Sequence, residues 1–557
     1  MDTSLIKKIE DSRPLNVALW TVALLVTVFG FWFVRFGFDV NDEAYQTMNA
    51  MDPHINPQAI LSSAISGLVG RVFGFGFLTM RTLTFLITVI AIGSASFFHY
   101  RRTASGNISL FLYVSLLSAA LCCPVKSRLI GWDCYAVLFC TLSLIFICRL
   151  WNSAKIFDAA VLGFITACAT LCRFPDIVIV PFACLALWLV NKSASPRRML
   201  AMTGAFAGMF VLAVVVLLSV IYTGGVAEWF EGLRSSFVSG HGISRLVTNY
   251  IHTGSLDMFD LVLLSSFLFF LSKIAKGKKF IMFLGMLFMA LCVLGVLILK
   301  IDRVFYPVLR LLTSCVIILT ACYIASGRDW KNVLQAVVVI GCCVAPMAGS
   351  DGGTVKFMNI PSLPVVLALL AGVNSGFTDL ARKATYVILF VITAIMPFYT
   401  AAHTVFDGGW RNATSSVGHP LLHNNFTTAQ RAAEINDMLA EGRGLIPANS
   451  LILGSDNRRF FSEYLFGSRN RLWPHSWSDD IFNDSDKVET LRRFVETDNP
   501  ECIVMTKYGT MHDSLYWEHN AMRTVIEDTD RYETSEYDWF VIFRRKSDRR
   551  FYLQVQN

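Results

Sequence analysis

The feature that most constrains this chain is a series of thirteen apolar segments, most of them long enough to cross a membrane as a helix. Such a helix needs about 20 apolar residues to traverse roughly 30 Å of hydrocarbon. Only 16% of the residues are charged, whereas soluble proteins carry about a quarter. The sequence therefore predicts an all-α polytopic transmembrane domain of about thirteen helices. The predicted spans are 15–37, 81–99, 107–124, 132–149, 156–173, 176–191, 199–222, 257–274, 280–299, 305–325, 332–349, 361–377 and 384–403.

The character of the chain changes near residue 404, where the apolar segments stop and turn residues become frequent. Residues 404–557 carry 18 Lys and Arg against 23 Asp and Glu, whereas residues 1–403 carry 30 against 18. We therefore expect a transmembrane domain over 1–403 and a separate water-soluble domain over 404–557. Helical and strand patterns alternate in the second domain, which predicts a small α/β fold. The predicted strands are 450–454, 502–505 and 539–543.

Charge and cysteine usage exclude some classes of protein. Cys502 is the one cysteine of the 14 that lies beyond residue 403, so a disulfide framework within the soluble domain is excluded. The excess positive charge lies in the membrane part, and no basic tract of the kind that binds nucleic acid occurs in the sequence. The first apolar segment is too long for the core of a signal peptide, and we expect it to be retained as the first span.

The distribution of Lys and Arg predicts the orientation in an inner, or plasma, membrane. With a cytosolic N-terminus, one set of short loops holds 18 basic residues and the longer opposite loops hold 12. Basic residues favour the cytosolic side, and an odd number of spans then places the soluble domain in the periplasm or outside the cell. The two long outer loops are 38–80 and 223–256. The 18 residues are Lys7, Lys8, Arg13, Arg101, Arg102, Arg149, Lys155, Lys192, Arg197, Arg198, Lys273, Lys276, Lys278, Lys279, Arg328, Lys331, Arg382 and Lys383.

The first outer loop carries acidic residues beside a predicted interfacial helix. Asp42 and Glu43 follow the first span closely, and ionisable groups at the membrane boundary are often functional. A solvated loop that merely ends a helix is the alternative. From Pro57, apolar residues from Ile60 to Phe73 recur at helical spacing with small and polar residues between them, which predicts an amphipathic helix lying in the interface.

This arrangement resembles the class C glycosyltransferases (GT-C fold), in particular the lipid A aminoarabinose transferases and the protein O-mannosyltransferases. The residues that carry the resemblance are Asp42, Glu43 and Tyr45, in an Asp-Glu pair after the first span, followed by a juxtamembrane helix, many spans and an external C-terminal domain. The architectural likeness covers about 400 residues. The second outer loop adds Arg128 and Asp133, which match a basic and an acidic position of these families; a topogenic or capping pair is the alternative.

The resemblance implies a hexosyl- or pentosyltransferase that takes its sugar from a polyprenyl-phosphate donor, because nucleotide sugars are not available outside the cytosol. The acceptor would be an envelope lipid, glycan or protein. A carboxylate must take the proton of the attacking hydroxyl, and we expect Asp42 to be this base, with Glu43 or Asp133 orienting the acceptor. A single displacement inverts the sugar. A divalent metal between Asp42 and Asp133 is compatible with the sequence but not established by it.

Further polar residues on the outer side are candidates for substrate contacts. Cations there oppose the positive-inside trend, and a lipid phosphate would explain them; head-group contact or snorkelling is the alternative. Positioning of donor or acceptor is expected from Tyr45, Arg71 and His241. The predicted phosphate contacts are Arg128, Arg245, Lys300, Arg303 and Lys356.

Other functions fit parts of the pattern. A transporter or flippase for an anionic lipid or solute would also use charges in the membrane, but near its midplane and often in paired broken helices. Here the charges collect at one face. An acyl- or phosphoethanolamine-type transferase would need a nucleophile or a metal cluster, and neither pattern occurs in the sequence.

Overall fold

A computed structural model of the chain describes most of both predicted domains. The described residues are 12–39, 42–121, 131–190, 195–238, 243–275, 278–299, 305–327, 329–344, 361–373, 375–403, 407–447, 450–454, 459–468, 472, 485–507 and 521–546.

Helices coincide with all thirteen predicted spans, which confirms the fold class. Eight of the described helices are long and apolar enough to cross a membrane, and four more are apolar but shorter. The chain is therefore an integral membrane protein. In chain order the helices of this part are α1 Arg13–Phe33, α2 Asp42–Met51, α3 Ile60–Phe73, α4 Phe77–Thr103, α5 Gly106–Leu121, α6 Trp132–Ser153, α7 Ile156–Cys172, α8 Ile179–Trp188, α9 Pro196–Ile221, α10 Gly225–Val238, α11 Ile243–Ala275, α12 Lys279–Leu299, α13 Phe305–Gly327, α14 Trp330–Val344, α15 Ser362–Leu369 and α16 Gly376–Ala402.

The segment predicted as a span over 361–377 differs from the others. Its helix, α15, has eight residues and is therefore only about 12 Å long, less than half the thickness of the hydrocarbon core. The Ser362 side chain is hydrogen-bonded to Cys343, so α15 begins beside the end of α14. Within the described residues, this segment does not form a complete transmembrane helix.

At one end of the bundle, hydrogen bonds and an ion pair join the helix connections that carry basic residues. Asn16 donates a hydrogen bond to Asn107 at 2.7 Å, which joins the first turns of α1 and α5. Arg149 pairs with Asp158 at 2.9 Å, and Arg198 donates to the Ala154 carbonyl at 2.9 Å. This alternation of helix ends agrees with the predicted up-and-down topology, while the side of the membrane on which each end lies stays a prediction.

Two helices of the first outer loop, α2 and α3, pack against each other at the opposite end, and α3 is the one that the sequence predicts. The amphipathic helix expected after Pro57 is present as α3, but its small, polar face is turned inward and Val72 and Phe73 are about 70% exposed. The Ser62 hydroxyl donates to the Cys172 carbonyl at 3.0 Å. A Cβ atom on Gly67 would lie 2.4 Å from the Ala50 carbonyl oxygen, so only glycine allows this close approach of α3 to α2.

The C-terminal part of the chain forms an α/β domain. Its elements are β1 Ser415–Ser416, β2 Phe426–Thr427, α17 Ala429–Gly442, β3 Leu451–Gly454, α18 Arg459–Phe466, α19 Ser485–Thr497, β4 Cys502–Thr506, α20 Ala521–Asp528, β5 Tyr532–Glu536 and β6 Phe540–Arg545. Four of the strands form a sheet in the order β3-β4-β6-β5. Strands β3 and β4 are parallel, and the other neighbours are antiparallel. Alternate residues face opposite sides of the sheet: Leu453 and Met505 pack against α19 and α20, whereas Ile452 packs towards α17, α18 and α2.

Candidate active site beneath the C-terminal domain

The acidic pair that the sequence singles out begins helix α2, and its two members have different environments. Glu43 is fully buried, and its two carboxylate oxygens accept hydrogen bonds from Nε and Nη2 of Arg81 at 2.5 Å each. Arg81 also donates from Nη1 to the carbonyls of Val34 and Phe36, at 3.0 and 3.4 Å. Burial raises the pKa of Glu43, and Arg81 opposes that rise. Glu43 therefore fixes the end of α1 to the start of α4 through Arg81.

Asp42 differs from Glu43 because its side chain retains access to solvent. It starts α2 and is partly exposed, whereas the residues that follow it, from Glu43 to Tyr45, are buried. Carboxylates in the first turn of a helix are stabilised by the helix dipole. Of the acidic pair, Asp42 is the partly exposed carboxylate, and Glu43 is the buried one that is paired with Arg81.

Tyr45, one turn further along α2, joins three parts of the molecule. Its ring lies 4.6 Å from the ring of Phe460 in the C-terminal domain and 6.4 Å from that of Trp132 at the start of α6, measured between centroids. Its hydroxyl accepts a hydrogen bond from Asn56 at 3.4 Å. The contact with Trp132 brings the segment that carries Asp42 next to the segment that carries Asp133.

A charged cluster surrounds Asp133 at this end of the bundle. Arg173 lies 3.6 Å from Asp133, from Nε to Oδ1, and 3.1 Å from Asp176, from Nη1 to Oδ1. Asp176 is completely buried, and the Arg173 side chain is 6% exposed. All three groups sit where α6, α7 and α8 begin or end. The bundle thus contains, beside α2, a buried guanidinium group that is paired with two carboxylates.

Arg173 and Asp176 are not among the candidate residues from the sequence. They lie in the four-residue break between the fifth and sixth predicted spans. The hydropathy pattern indicates only that the two spans are separated there, and it does not mark these residues as functional. Two ionisable residues within such a short break are themselves a signal, because charges at membrane depth are expensive and are retained where they pair or act. The short 3-10 helix Phe174–Val178 places Asp176 back against Arg173.

The remaining candidate residues lie in several parts of the chain. Arg71 lies in the last turn of α3 and is exposed. The main chain of Arg245 belongs to α11, but its side chain is outside the described part of the structure. The predicted contacts that lie wholly outside the described residues are Arg128, His241, Lys300, Arg303 and Lys356.

A divalent metal between Asp42 and Asp133 stays untested, and the surroundings of Asp133 do not favour one. Asp133 already faces the guanidinium of Arg173 at 3.6 Å, and a cation at that distance opposes the binding of a second one. Within the described ranges there is also no group of three or more His, Cys, Asp or Glu side chains placed to hold an ion.

The C-terminal domain covers α2 and the start of α4. The Tyr464 ring stacks on Phe77 at 5.1 Å, and its hydroxyl donates to the Phe75 carbonyl at 2.7 Å. Burial raises the pKa of Tyr464 well above its usual value, so the hydroxyl stays protonated as a donor. Asp42 and the cluster around Asp133 thus lie at the junction of the helix bundle and the C-terminal domain.

No protein-family model matches the chain, and no curated protein matches its sequence. Among solved structures, the chain is similar to the crystal structure of ArnT from Cupriavidus metallidurans bound to undecaprenyl phosphate. The two share 11% sequence identity with a TM-score of 0.38, and the alignment covers 96% of this chain and 98% of that chain.

Proposed function

We propose that the protein is a membrane glycosyltransferase of the GT-C class, which moves a sugar from a polyprenyl-phosphate donor to an envelope lipid, glycan or protein. The observation that carries the proposal is the placement of Asp42. This accessible carboxylate begins a short helix that a buried ion pair locks in position, beside Asp133 and under a soluble domain. Such a fixed carboxylate at the membrane boundary suits the deprotonation of a hydroxyl that approaches a lipid-linked sugar.

In the proposed reaction, the acceptor hydroxyl attacks the anomeric carbon of the donor. The new bond joins the acceptor oxygen to that carbon, the bond from the carbon to the phosphate oxygen breaks, and the proton passes to Asp42. The products are the glycosylated acceptor, with inverted anomeric configuration, and polyprenyl phosphate. Glu43 acts through Arg81 to position α2, and Asp133 is the carboxylate proposed to orient the acceptor.

Negative charge develops on the leaving phosphate, and a cation near it stabilises the transition state. Arg173 is a buried cation in this region, but it is paired with two carboxylates and contributes little net charge. The proposal therefore keeps the predicted phosphate contacts, which are Arg128, Arg245, Lys300, Arg303 and Lys356.

The proposal places the N-terminus in the cytosol and the C-terminal domain outside it. A nucleotide sugar is not available on the outer side, whereas a sugar already attached to a polyprenyl phosphate can be flipped across the membrane and presented there. The basic connections at the other end of the bundle support this orientation through the positive-inside rule.

Mass spectrometry of envelope glycans tests the proposal whatever the acceptor is. Cells lacking the gene should lose a sugar from one glycan or glycolipid, and the wild-type gene should restore it. A gene with Asp42→Asn should not restore the sugar although the protein accumulates in the membrane. Asp437→Asn, on the exposed face of α17, is the matched control and should restore it fully.

A second function, transport of an anionic lipid or solute, is favoured by one observation. Arg173, Asp133 and Asp176 form a largely buried charged cluster at the 3-10 turn that joins α7 to α8, and buried ionisable groups within a helix bundle often mark the pathway of a transported ion or solute. Unchanged glycans in the deletion strain, together with altered flux of an anionic substrate, would favour this function over glycosyl transfer.

A further inference from the structure

The short segment between α1 and α2, Arg35–Phe38, is bound directly by the C-terminal domain. The amide of Gly37 donates to the carbonyl of Phe426 at 2.8 Å, and the amide of Phe426 donates to the carbonyl of Arg35 at 2.8 Å. Phe36 and Phe426 thereby form a parallel β-bridge. The segment thus pairs with β2 of a domain almost 400 positions away in sequence.

Asp407 strengthens this attachment with a buried carboxylate. Its Oδ2 accepts hydrogen bonds from the Phe38 amide at 3.0 Å and from the Thr427 hydroxyl at 2.6 Å. Its Oδ1 pairs with Arg431 at 2.7 Å, and Arg431 also donates to the Phe38 carbonyl at 3.2 Å. The Asp407 side chain is 1% exposed. Charge-assisted hydrogen bonds in such a dry site are stronger than those between neutral groups.

The segment is also held from the membrane side. Arg81 donates to the carbonyls of Val34 and Phe36 while it pairs with Glu43. The clamp, defined here as Asp407 with Thr427 and Arg431, ends at Phe38, four positions before Asp42. The segment that precedes α2 is therefore held by an ion pair in the bundle and by an ion pair in the C-terminal domain, and the first of these pairs includes Glu43 of α2.

We propose that Asp407 and Arg431 are positioning residues, which couple the C-terminal domain to the reaction by holding Asp42 in its productive place. The inference rests on the proposed function of Asp42. A displacement of about 1 Å at a reacting group can reduce turnover by about 100-fold without loss of substrate binding. The clamp then acts on the chemical step, whereas the parts of the protein that contact the lipid donor set its affinity.

The test uses the full-length protein in lipid nanodiscs with synthetic polyprenyl-phosphate-linked hexoses and pentoses and a lipid extract as the source of acceptor. Release of polyprenyl phosphate gives kcat and KM, and hydrogen exchange gives the protection of peptides that cover 35–45. The variants are Asp407→Asn and Arg431→Gln, with Arg431→Lys as the conservative change. Asn436→Ala is the control, because Asn436 lies on the same helix and its described hydrogen bond, accepted from the Gly418 amide, stays within its own domain.

We expect Asp407→Asn and Arg431→Gln each to lower kcat by about 10- to 100-fold with KM changed less than about twofold. Hydrogen exchange over 35–45 should rise in both variants, and Arg431→Lys should retain more of the wild-type kcat than Arg431→Gln. The double variant, Asp407→Asn with Arg431→Gln, should have a kcat only slightly lower than that of the less active single variant, because both substitutions break the same clamp. Asn436→Ala should behave as wild type.

Two results would overturn the inference while leaving the proposed function intact. One is wild-type kcat in Asp407→Asn despite increased exchange over 35–45, which would make the clamp purely structural. The other is a raised KM at unchanged kcat, which would place the clamp in substrate binding. An inactive wild-type protein across the whole panel of donors would instead contradict the proposed function, and the inference would fall with it.

Discussion

Glu43 and Arg81 are buried together at 0% exposure, and Asp42 is the residue that directly precedes Glu43 at the start of α2. Removing one partner of a buried pair leaves an uncompensated charge, which costs about 3–5 kcal/mol. Replacing both partners by apolar groups of similar size costs much less. The two members of the Asp-Glu pair should therefore respond differently to substitution.

We predict that Glu43→Gln lowers thermal stability strongly because Arg81 loses its counter-charge. The double variant Glu43→Gln with Arg81→Met should recover part of that loss, although Val34 and Phe36 then lose their donor. Asp42→Asn should lower stability much less, because Asp42 is partly exposed and loses a charge at a helix N-terminus and not the partner of a buried cation. Differential scanning fluorimetry in detergent measures all three, and equal destabilisation by the Asp42 and Glu43 substitutions would contradict the assignment.

A second prediction concerns Glu536 in the C-terminal sheet. The hydrogen bond from Lys507 lowers the pKa of Glu536, and Arg523 adds to this effect. The carboxylate is therefore ionised in the folded state at pH values where it would be protonated in the unfolded chain. Its contribution to stability is present above the ordinary Glu pKa and is lost as the pH falls through the lowered value.

Glu536→Gln should therefore reduce protection of β5 and β6 at neutral pH and have no effect in acid below the lowered pKa. The side chain is half exposed, so the effect at neutral pH should be about 0.5 kcal/mol or less. Hydrogen exchange of the strands, corrected for the intrinsic effect of pH, measures it. A difference that grows in acid would show that the pKa is shifted in the other direction.

At the scale of elements, the packing of α3 on α2 depends on glycine. A Cβ atom at Gly67 would clash with the Ala50 carbonyl at 2.4 Å, whereas one at Gly208 in α9 would meet no described atom within 4 Å. We predict that Gly67→Ala destabilises the protein by about 1–3 kcal/mol and reduces turnover, because it pushes α2 and Asp42 away from α3. Gly208→Ala is the control, and equal effects of the two substitutions in unfolding and turnover assays would count against this packing.

The elements themselves were largely predictable from the sequence. The apolar segments predict a helix at each of the thirteen positions, although the helix at 361–377 is too short to cross the membrane, and the amphipathic pattern after Pro57 predicts α3. The sequence does not predict which face of α3 is turned inward. Lipid and the protein interior are both apolar, so the pattern alone does not say whether the apolar face of the helix packs against lipid or against the protein. The eight-residue α15 was missed for a similar reason, since hydropathy records where apolar residues lie and not where the helix ends.

The site was predictable only in part. Asp42, Glu43, Tyr45 and Asp133 lie on adjacent elements at one end of the bundle. The pairing of Glu43 with Arg81 spans 38 positions, and the clamp from Asp407 to Phe38 spans 369. Contacts this distant in sequence leave no local periodicity, so a single sequence gives no indication of them.

At the scale of the whole molecule, the proposed orientation can be tested with cysteine labelling. A cysteine introduced at Asp437, on the C-terminal domain, should react with a membrane-impermeant maleimide added to intact cells. A cysteine at Lys155, in a basic connection, should react only after the membrane is opened. Native exposed cysteines such as Cys184 require a background in which they are replaced. The reverse pattern would place the candidate site in the cytosol and contradict the proposed donor.

The central claim is that Asp42 acts as the base in transfer of a sugar from a polyprenyl phosphate. The most direct measurement is the rate at which purified protein in nanodiscs releases polyprenyl phosphate. The rate is compared between the wild type and Asp42→Asn after thermal unfolding has shown that both proteins are folded. We expect turnover by the wild type with at least one hexose or pentose donor, and a loss of about 100- to 10,000-fold in kcat for Asp42→Asn. Wild-type turnover by Asp42→Asn would contradict it.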